Sequence, residues 1–308
     1  MSGSFDILNA APSQSDTASD EGTAALRERA AGALEAAYGF VEREGHEFSR
    51  LRARILVQVE GVERGVEAID EQVGAEGRPG RMGQVLPPML EALFTDEAEN
   101  DATRFTGTLE VLSVLADWGR LYEPAGDRIV AALLAAQEED GSFGPANVAG
   151  EEPIGRVVAT ALTAGFLGRM RSARPEMLRG AGAFLAQHWS VDTIRGHGWP
   201  AVAGFAHYFT NVYDDEREAA LPWCGRELER GWLAHEYTPA DVMRVLFYCE
   251  ASAIPGVSFD ANALLTQLFD GQLDDGSVGE PASQPAARVA GTLDAMHYIL
   301  RVCNSPGQ

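Results

Sequence analysis

Three groups of residues in this sequence are of types that do chemistry. The first is a pair of carboxylates inside helical, otherwise apolar segments. Asp294 lies in TLDAMHYIL, and His297 follows three residues later, so both share one helix face. Glu110 holds the matching place in RFTGTLE, two residues after a threonine. Apolar surroundings favour the neutral carboxyl group, the form a general acid needs. A structural contact with an arginine or a helix end is the competing reading. The second group is the ring-rich stretch 187–223, with Trp189, Trp199, Phe205, Tyr208, Phe209, Tyr213 and Trp223. His188, His197 and His207 are interleaved. Aromatic faces stabilise developing positive charge; ordinary core rings with satisfied polar tips are the alternative. The third is Asp214-Asp215-Glu216-Arg217-Glu218, which fits Asp-Asp-x-x-Glu. Carboxylates so spaced hold Mg2+ on a diphosphate; five charges at a helix start also make a solvated cap. Asp214 and Asp215 are therefore candidate acids or Mg2+ ligands. No other metal site and no organic cofactor are expected.

An arginine recurs beside these groups. Arg-x-x-x-Thr occurs at Arg104/Thr108, Arg156/Thr160 and Arg288/Thr292, each time near a helix start. Helix N-termini favour anions, so three such arginines at one mouth could hold a diphosphate or carboxylate. The alternative is that each pairs with acids of its own turn, such as Asp140, Glu152 or Asp275.

The elements that must position these residues repeat. LLAAQEEDGSFG around Gln137 and LFDGQLDDGSVG around Gln272 share Gln-x-x-Asp-Gly-Ser-x-Gly. Each leads through a short loop into a helix start, RVVATAL at Arg156 and RVAGTLD at Arg288. A degenerate copy is read at 184–213. Asp-Gly makes a tight turn, because glycine accepts positive φ and aspartate caps locally. VVATALTAGFL (157–167) is apolar on every face, so it is expected to be buried all round. Segments 157–167 and 289–300 are expected to be inner helices, with amphipathic helices outside them.

Composition sets the class. The chain has 308 residues, 45% hydrophobic, and helical spacing dominates after the first twenty. Residues 1–20 read as a disordered leader without signal-peptide features, and 21–308 as one domain. The net charge of −22 disfavours nucleic acid and anionic membranes. No apolar run is long enough to span a bilayer, and the leader's lack of signal-peptide features makes the cytoplasm the expected location. All 24 basic residues are arginine, which excludes a lysine Schiff base and a P-loop. Cys224, Cys249 and Cys303 form no metal or disulfide pattern.

The two Gln-x-x-Asp-Gly-Ser segments resemble the glutamine–tryptophan repeats of squalene and oxidosqualene cyclases, and the equivalent repeats of protein prenyltransferase β subunits. That resemblance is clear over about 120–170 and 260–302. It implies an all-α fold, an α/α toroid of two concentric helix rings like an (α/α)6 barrel, with a cavity for an isoprenoid. The chain departs from both families' chemistry. It has no Asp-x-Asp-Asp acid motif, and Gly291 stands where zinc prenyltransferases place a histidine. The expected function is cyclisation or isomerisation of an isoprenoid or similar apolar natural-product intermediate. Asp294, His297, Glu110, Asp214 or Asp215 would move the proton. Trp199, Phe205, His207, Tyr208, Phe209, Tyr213 and Trp223 would line the site, and Arg104, Arg156 and Arg288 would hold an anionic group. The alternative is a non-catalytic toroid that binds an apolar ligand or a partner protein. Homo-oligomerisation stays open.

Overall fold

A computed structural model describes residues 17–79, 99–144, 154–250 and 254–304, with the side chains of 17–23, 99–104 and 286–287 left aside. Every regular element among them is an α-helix. In chain order these are α1 (Thr17–Glu44), α2 (Glu47–Leu56), α3 (Val62–Val73), α4 (Glu99–Asp117), α5 (Pro124–Ala136), α6 (Ile154–Gly168), α7 (Pro175–His188), α8 (Val191–His197), α9 (Trp199–Asn211), α10 (Arg217–Leu233), α11 (Pro239–Tyr248), α12 (Ala261–Asp270) and α13 (Pro285–Asn304). The one β-type pairing among them is an isolated bridge between Gln272 and Val278. None of these helices is long and apolar enough to cross a membrane. Of the expected leader, 17–20 already belong to α1, and 1–16 lie outside the described residues.

Local chemistry explains where the helices start. Proline opens α5, α7 and α11, where its fixed φ suits the first turn and its missing N–H costs nothing. Thr238 and Asp241 cap each other's backbone at α11, and Asp260 accepts from two amides at α12.

The chain gathers into two compact units, divided inside α3 between Gly65 and Val66. The first joins α1 and α2 to α12 and α13. Its core is Leu34, Ala37, Phe40 and Val41 of α1, Ala53 of α2, Val57 just after it, and Val289, Leu293, Met296 and Leu300 of α13. Each large side chain buried this way stabilises by roughly 1.5–3 kcal/mol relative to exposure.

The second unit runs from Val66 to Phe259 and is built around α6 and α9. Every residue from Val157 to Leu167 of α6 is buried, as its all-apolar pattern implies. Small residues bring the two backbones close. Gly204 of α9 lies against Val158 and Ala161 of α6, Gly165 takes the ring of His207, and Gly168 takes the Asn211 backbone. Because these positions ascend together, α6 and α9 run parallel.

The tightest of these seats is Gly165. A methyl group there would come within 2.1 Å of His207 Cδ2. The ring cannot retreat without breaking its Nδ1 contact to Tyr248 O at 2.7 Å. Gly165→Ala should therefore cost roughly 1–3 kcal/mol in urea unfolding. The same change at Gly32, on the exposed side of α1 with nothing within 4 Å, should gain about 0.4–1 kcal/mol. Equal effects at the two positions would contradict this packing.

Candidate functional site

The repeated motif folds into one device, a turn that clamps a neighbouring helix. Gln137 leaves α5 with extended backbone. Its Nε2 donates to Gly141 O and to Met177 O of α7, both at 2.9 Å. Asp140 Oδ1 accepts from Ser142 N at 3.0 Å and Ser142 Oγ at 2.6 Å, fixing the turn. Gly141 sits at φ +88°, and a Cβ there would lie 2.2 Å from Gly180 O. Only glycine lets this turn rest on the α7 backbone. Phe143 N then donates to Thr160 Oγ1 at 2.9 Å, tying the turn to α6.

The second copy reproduces this in the other unit. Gln272 Nε2 donates to Gly276 O and to Ala33 O of α1, again at 2.9 Å. Asp275 Oδ1 holds Ser277 at 3.0 and 2.6 Å. Gly276, at φ +89°, meets Ala36 O at the same virtual 2.2 Å. Val278 N donates to Thr292 Oγ1 at 3.0 Å. One register shift of 144 residues carries Ala33 to Met177, Ala36 to Gly180 and Phe40 to Phe184. Within the first unit α1 thus receives the clamp as α7 does in the second.

The Arg-x-x-x-Thr pattern belongs to the clamp. Arg156 Nη2 reaches Asp140 Oδ1 at 3.4 Å and Ser142 Oγ, with its guanidinium over Phe184. Arg288 reaches Ser277 Oγ at 2.7 Å and Asp275 Oδ2 at 3.1 Å, over Phe40. Both arginines therefore have the acids of their own turns as partners. The side chain of Arg104 lies outside the described residues. The Asp275 carboxyl is held below its ordinary range by Ser277 and Arg288. Burial pushes Asp140 up, but Ser142 and Arg156 outweigh it and leave it lowered.

A third clamp carries almost none of the motif. Gly77, at φ +66°, faces Arg128 O of α5 at a virtual 2.1 Å, the contact Gly141 makes with Gly180. Counting back from that glycine, Val73 stands at the glutamine position and Glu76 at the aspartate position. The polar grip is reversed. Arg128 of the receiving helix reaches back, Nε to Gly74 O at 2.7 Å and Nη2 to Asp70 Oδ1 at 2.7 Å. Sequence reasoning missed this copy, since glycine spacing was the only signal.

The ring-rich stretch splits into three environments. Phe205 and Phe209, on one face of α9, pack with Trp189 at 5.0 and 5.2 Å, and Trp189 meets Trp223 of α10 at 5.7 Å. These rings fill one another's faces. Tyr208 donates to Asp214 Oδ2 at 2.8 Å, and Asp214 Oδ1 accepts from Glu216 N at 2.9 Å. Burial, with Asp214 beside it, pushes the Tyr208 hydroxyl pKa up. Trp199 is half-buried where α9 begins. Tyr213 is 87% exposed and Asp215 is exposed, so neither joins the packed rings. Among the described residues no group of three His, Cys, Asp or Glu is arranged to hold a metal.

His207 lies on the α6 side of α9, edge-on to Phe166 at 4.6 Å. Burial drives its pKa down to about 3, against the Tyr248 O contact, which raises it. It is a neutral packing group. Of the carboxylates, Glu110 is buried, at 6% exposure, on α4. Asp294 and His297 are half-buried on α13. A buried carboxylate that sequence reasoning did not single out is Glu227. Arg195 and Arg230 hold it at 2.9 and 2.7 Å. Burial would raise its pKa, but the two guanidiniums leave it lowered. Cys224 and Cys249 are buried, and burial lifts the Cys249 thiol to about 12, far from a nucleophilic thiolate at neutral pH.

His207 gives a pH signature. The unfolded chain binds its proton below the ordinary value of 6.5, the folded chain only below about 3. Between those values protons favour the unfolded state, so stability falls as pH falls, by about 1.4 kcal/mol per pH unit. Above 6.5 the group adds no slope. Denaturant titrations should show His207→Gln losing this slope while carboxylate effects at lower pH persist. An unchanged slope would mean that His207 protonates in the folded state.

No protein family, no curated protein and no solved structure matches the chain.

Proposed function

We propose that the chain is an α/α toroid of the terpenoid-cyclase type, acting in the cytosol on a small apolar, isoprenoid-like molecule. The thirteen described helices read as six consecutive hairpins, α1–α2, α3–α4, α5–α6, α7–α9, α10–α11 and α12–α13, with α8 inserted. Support for repeated hairpins comes from the C-terminal clamp, which grips α1 in the register used on α7.

The single observation that favours turnover is the placement of Glu110. It is a buried carboxylate on a helix with Val111, Leu112, Val114 and Leu115 buried beside it. It stands two residues past the repeat threonine, as Asp294 does past Thr292. A carboxylate so placed would serve cyclisation or isomerisation as a general acid. His297 would accompany Asp294.

A second reading, a toroid that binds an apolar ligand without reacting it, is favoured by a different observation. Phe205, Phe209 and Trp223 are packed with Trp189, and Arg156 and Arg288 are paired within their turns.

Incubation with linear polyprenes and prenyl diphosphates, followed by mass spectrometry, separates the two. Under the enzyme reading a rearranged product forms. Glu110→Gln or Asp294→Asn should then cut the rate by about 10²–10⁴-fold with the melting temperature unchanged. Saturable binding without any product would select the non-catalytic toroid. Loss of stability in both variants, with no change in rate per folded molecule, would make the carboxylates structural.

A further inference from the structure

We infer that α1 and α2 form an exchangeable arm, and that its seat on α12 and α13 accepts the arm of a second copy of this chain. The seat binds the arm with polar and apolar contacts together. Gln272 donates to Ala33 O, and Gly276 rests on Ala36 O. Arg29 and Arg43 of α1 reach Asp270 Oδ1 at 2.5 Å and Asp275 O at 2.8 Å. Leu34, Phe40 and Val41 meet Val289, Leu293 and Met296 in the core. The arm moves as one piece, because Arg54 of α2 holds Glu42 of α1 through two bonds of 2.8 Å. The clamp on α7 joins residues 40 apart in sequence, whereas the clamp on α1 joins residues 239 apart. Each of these contacts has an identical counterpart in a second copy. Exchange keeps them all and changes only the connection between α2 and α3. It is independent of any turnover.

That connection is short and strained. Gln58 N donates to Ile55 O at 3.0 Å and Val59 N to Arg54 O at 2.8 Å, closing α2 with a residue in the left-handed region. Glycine usually holds that place. Here Gln58 holds it, at φ +60°, where a Cβ crowds the following carbonyl. Residues 58–61 are exposed, so burial does not fix this conformation. Opening the connection to negative φ releases the strain once in each chain of an exchanged pair. Short hinges under strain favour exchange of this kind, which gives a closed dimer of two reciprocally seated arms. His235, at φ +57°, closes α10 in the same way, but α10 and α11 both belong to the second unit. It therefore serves as a control for strain alone.

Refolding the full chain from urea tests this, with light scattering to read the oligomeric state. At a chain concentration on the order of 1 mM, a second copy competes with the tethered arm and a dimer should form. Dilute refolding should give monomer. Gln58→Gly relaxes the closed hinge and should raise the dimer's dissociation constant at least about tenfold. Gln58→Val places a β-branched residue at positive φ and should lower that constant. His235→Gly should leave it unchanged. Leu34→Asp spoils the arm and Leu293→Asp spoils the seat. Refolded together, these two variants should form a one-to-one heterodimer with a single intact core, which neither forms alone. Where the aspartates prevent folding, the Gln58 variants decide. A wild-type chain that stays monomeric at the higher concentration overturns the inference. So does a dimer indifferent to both Gln58 variants, or one that forms from Leu34→Asp alone.

Discussion

Much of the described order in this chain rests on a backbone-to-backbone contact that tolerates no side chain. A turn glycine in the left-handed region lies directly on a carbonyl of another helix, at Gly141 on Gly180, Gly276 on Ala36 and Gly77 on Arg128. Positive φ and the missing Cβ are both required, so the contact selects glycine twice over. Once the turn is seated at Gly141 and Gly276, the other groups fall into reach. The glutamine amide finds a helix carbonyl, and the turn amide finds a threonine hydroxyl. The arginine closes over the turn acid with an aromatic ring beneath it. Each is worth about 0.5–1.5 kcal/mol, but together they fix the register of one helix on the next.

This arrangement uses polar side chains that, in sequence, look like equipment for a ligand. Arg156 and Arg288 stand near helix starts where anions bind, and their partners are the turn's own aspartate and serine. Asp214 satisfies Tyr208 and caps Glu216. His207 is spent on a carbonyl and on the close packing of α6 with α9. The buried carboxylate of Glu110 lies on a different helix, α4.

How much could be read in advance follows from what kind of partner each residue has. The helices, the burial of 157–167 and the equivalence of the two Asp-Gly-Ser turns were legible, because periodicity and short motifs are properties of neighbours in sequence. The partners of Arg156 and Arg288 were legible only as one of two options, since an arginine near an acid and near a helix start satisfies both rules. His207 was not legible, because its partner is a backbone carbonyl 41 residues away and carries no side-chain signature. Nor was the exposure of Tyr213, which lies between α9 and α10 where no period applies. The clamp at Gly77 escaped because valine and glutamate replace its polar residues. The contact that defines it is steric and leaves only a glycine behind.

The docking of α1 also dictates the order of events as the chain is made. Gln272 reaches back 239 residues to Ala33, and Arg29 reaches Asp270 across 241. Contacts of such span close slowly, because loop entropy is lost before any contact rewards it. In the first unit, Leu34, Phe40 and Val41 meet Val289, Leu293 and Met296 only after α13 has been synthesised. Until then a nascent chain carries a long helix with its apolar stripe uncovered, which is the condition under which chains aggregate or recruit chaperones. A ribosome that stalls between α11 and α12 would release a chain whose second unit is largely complete and whose first helix has no seat.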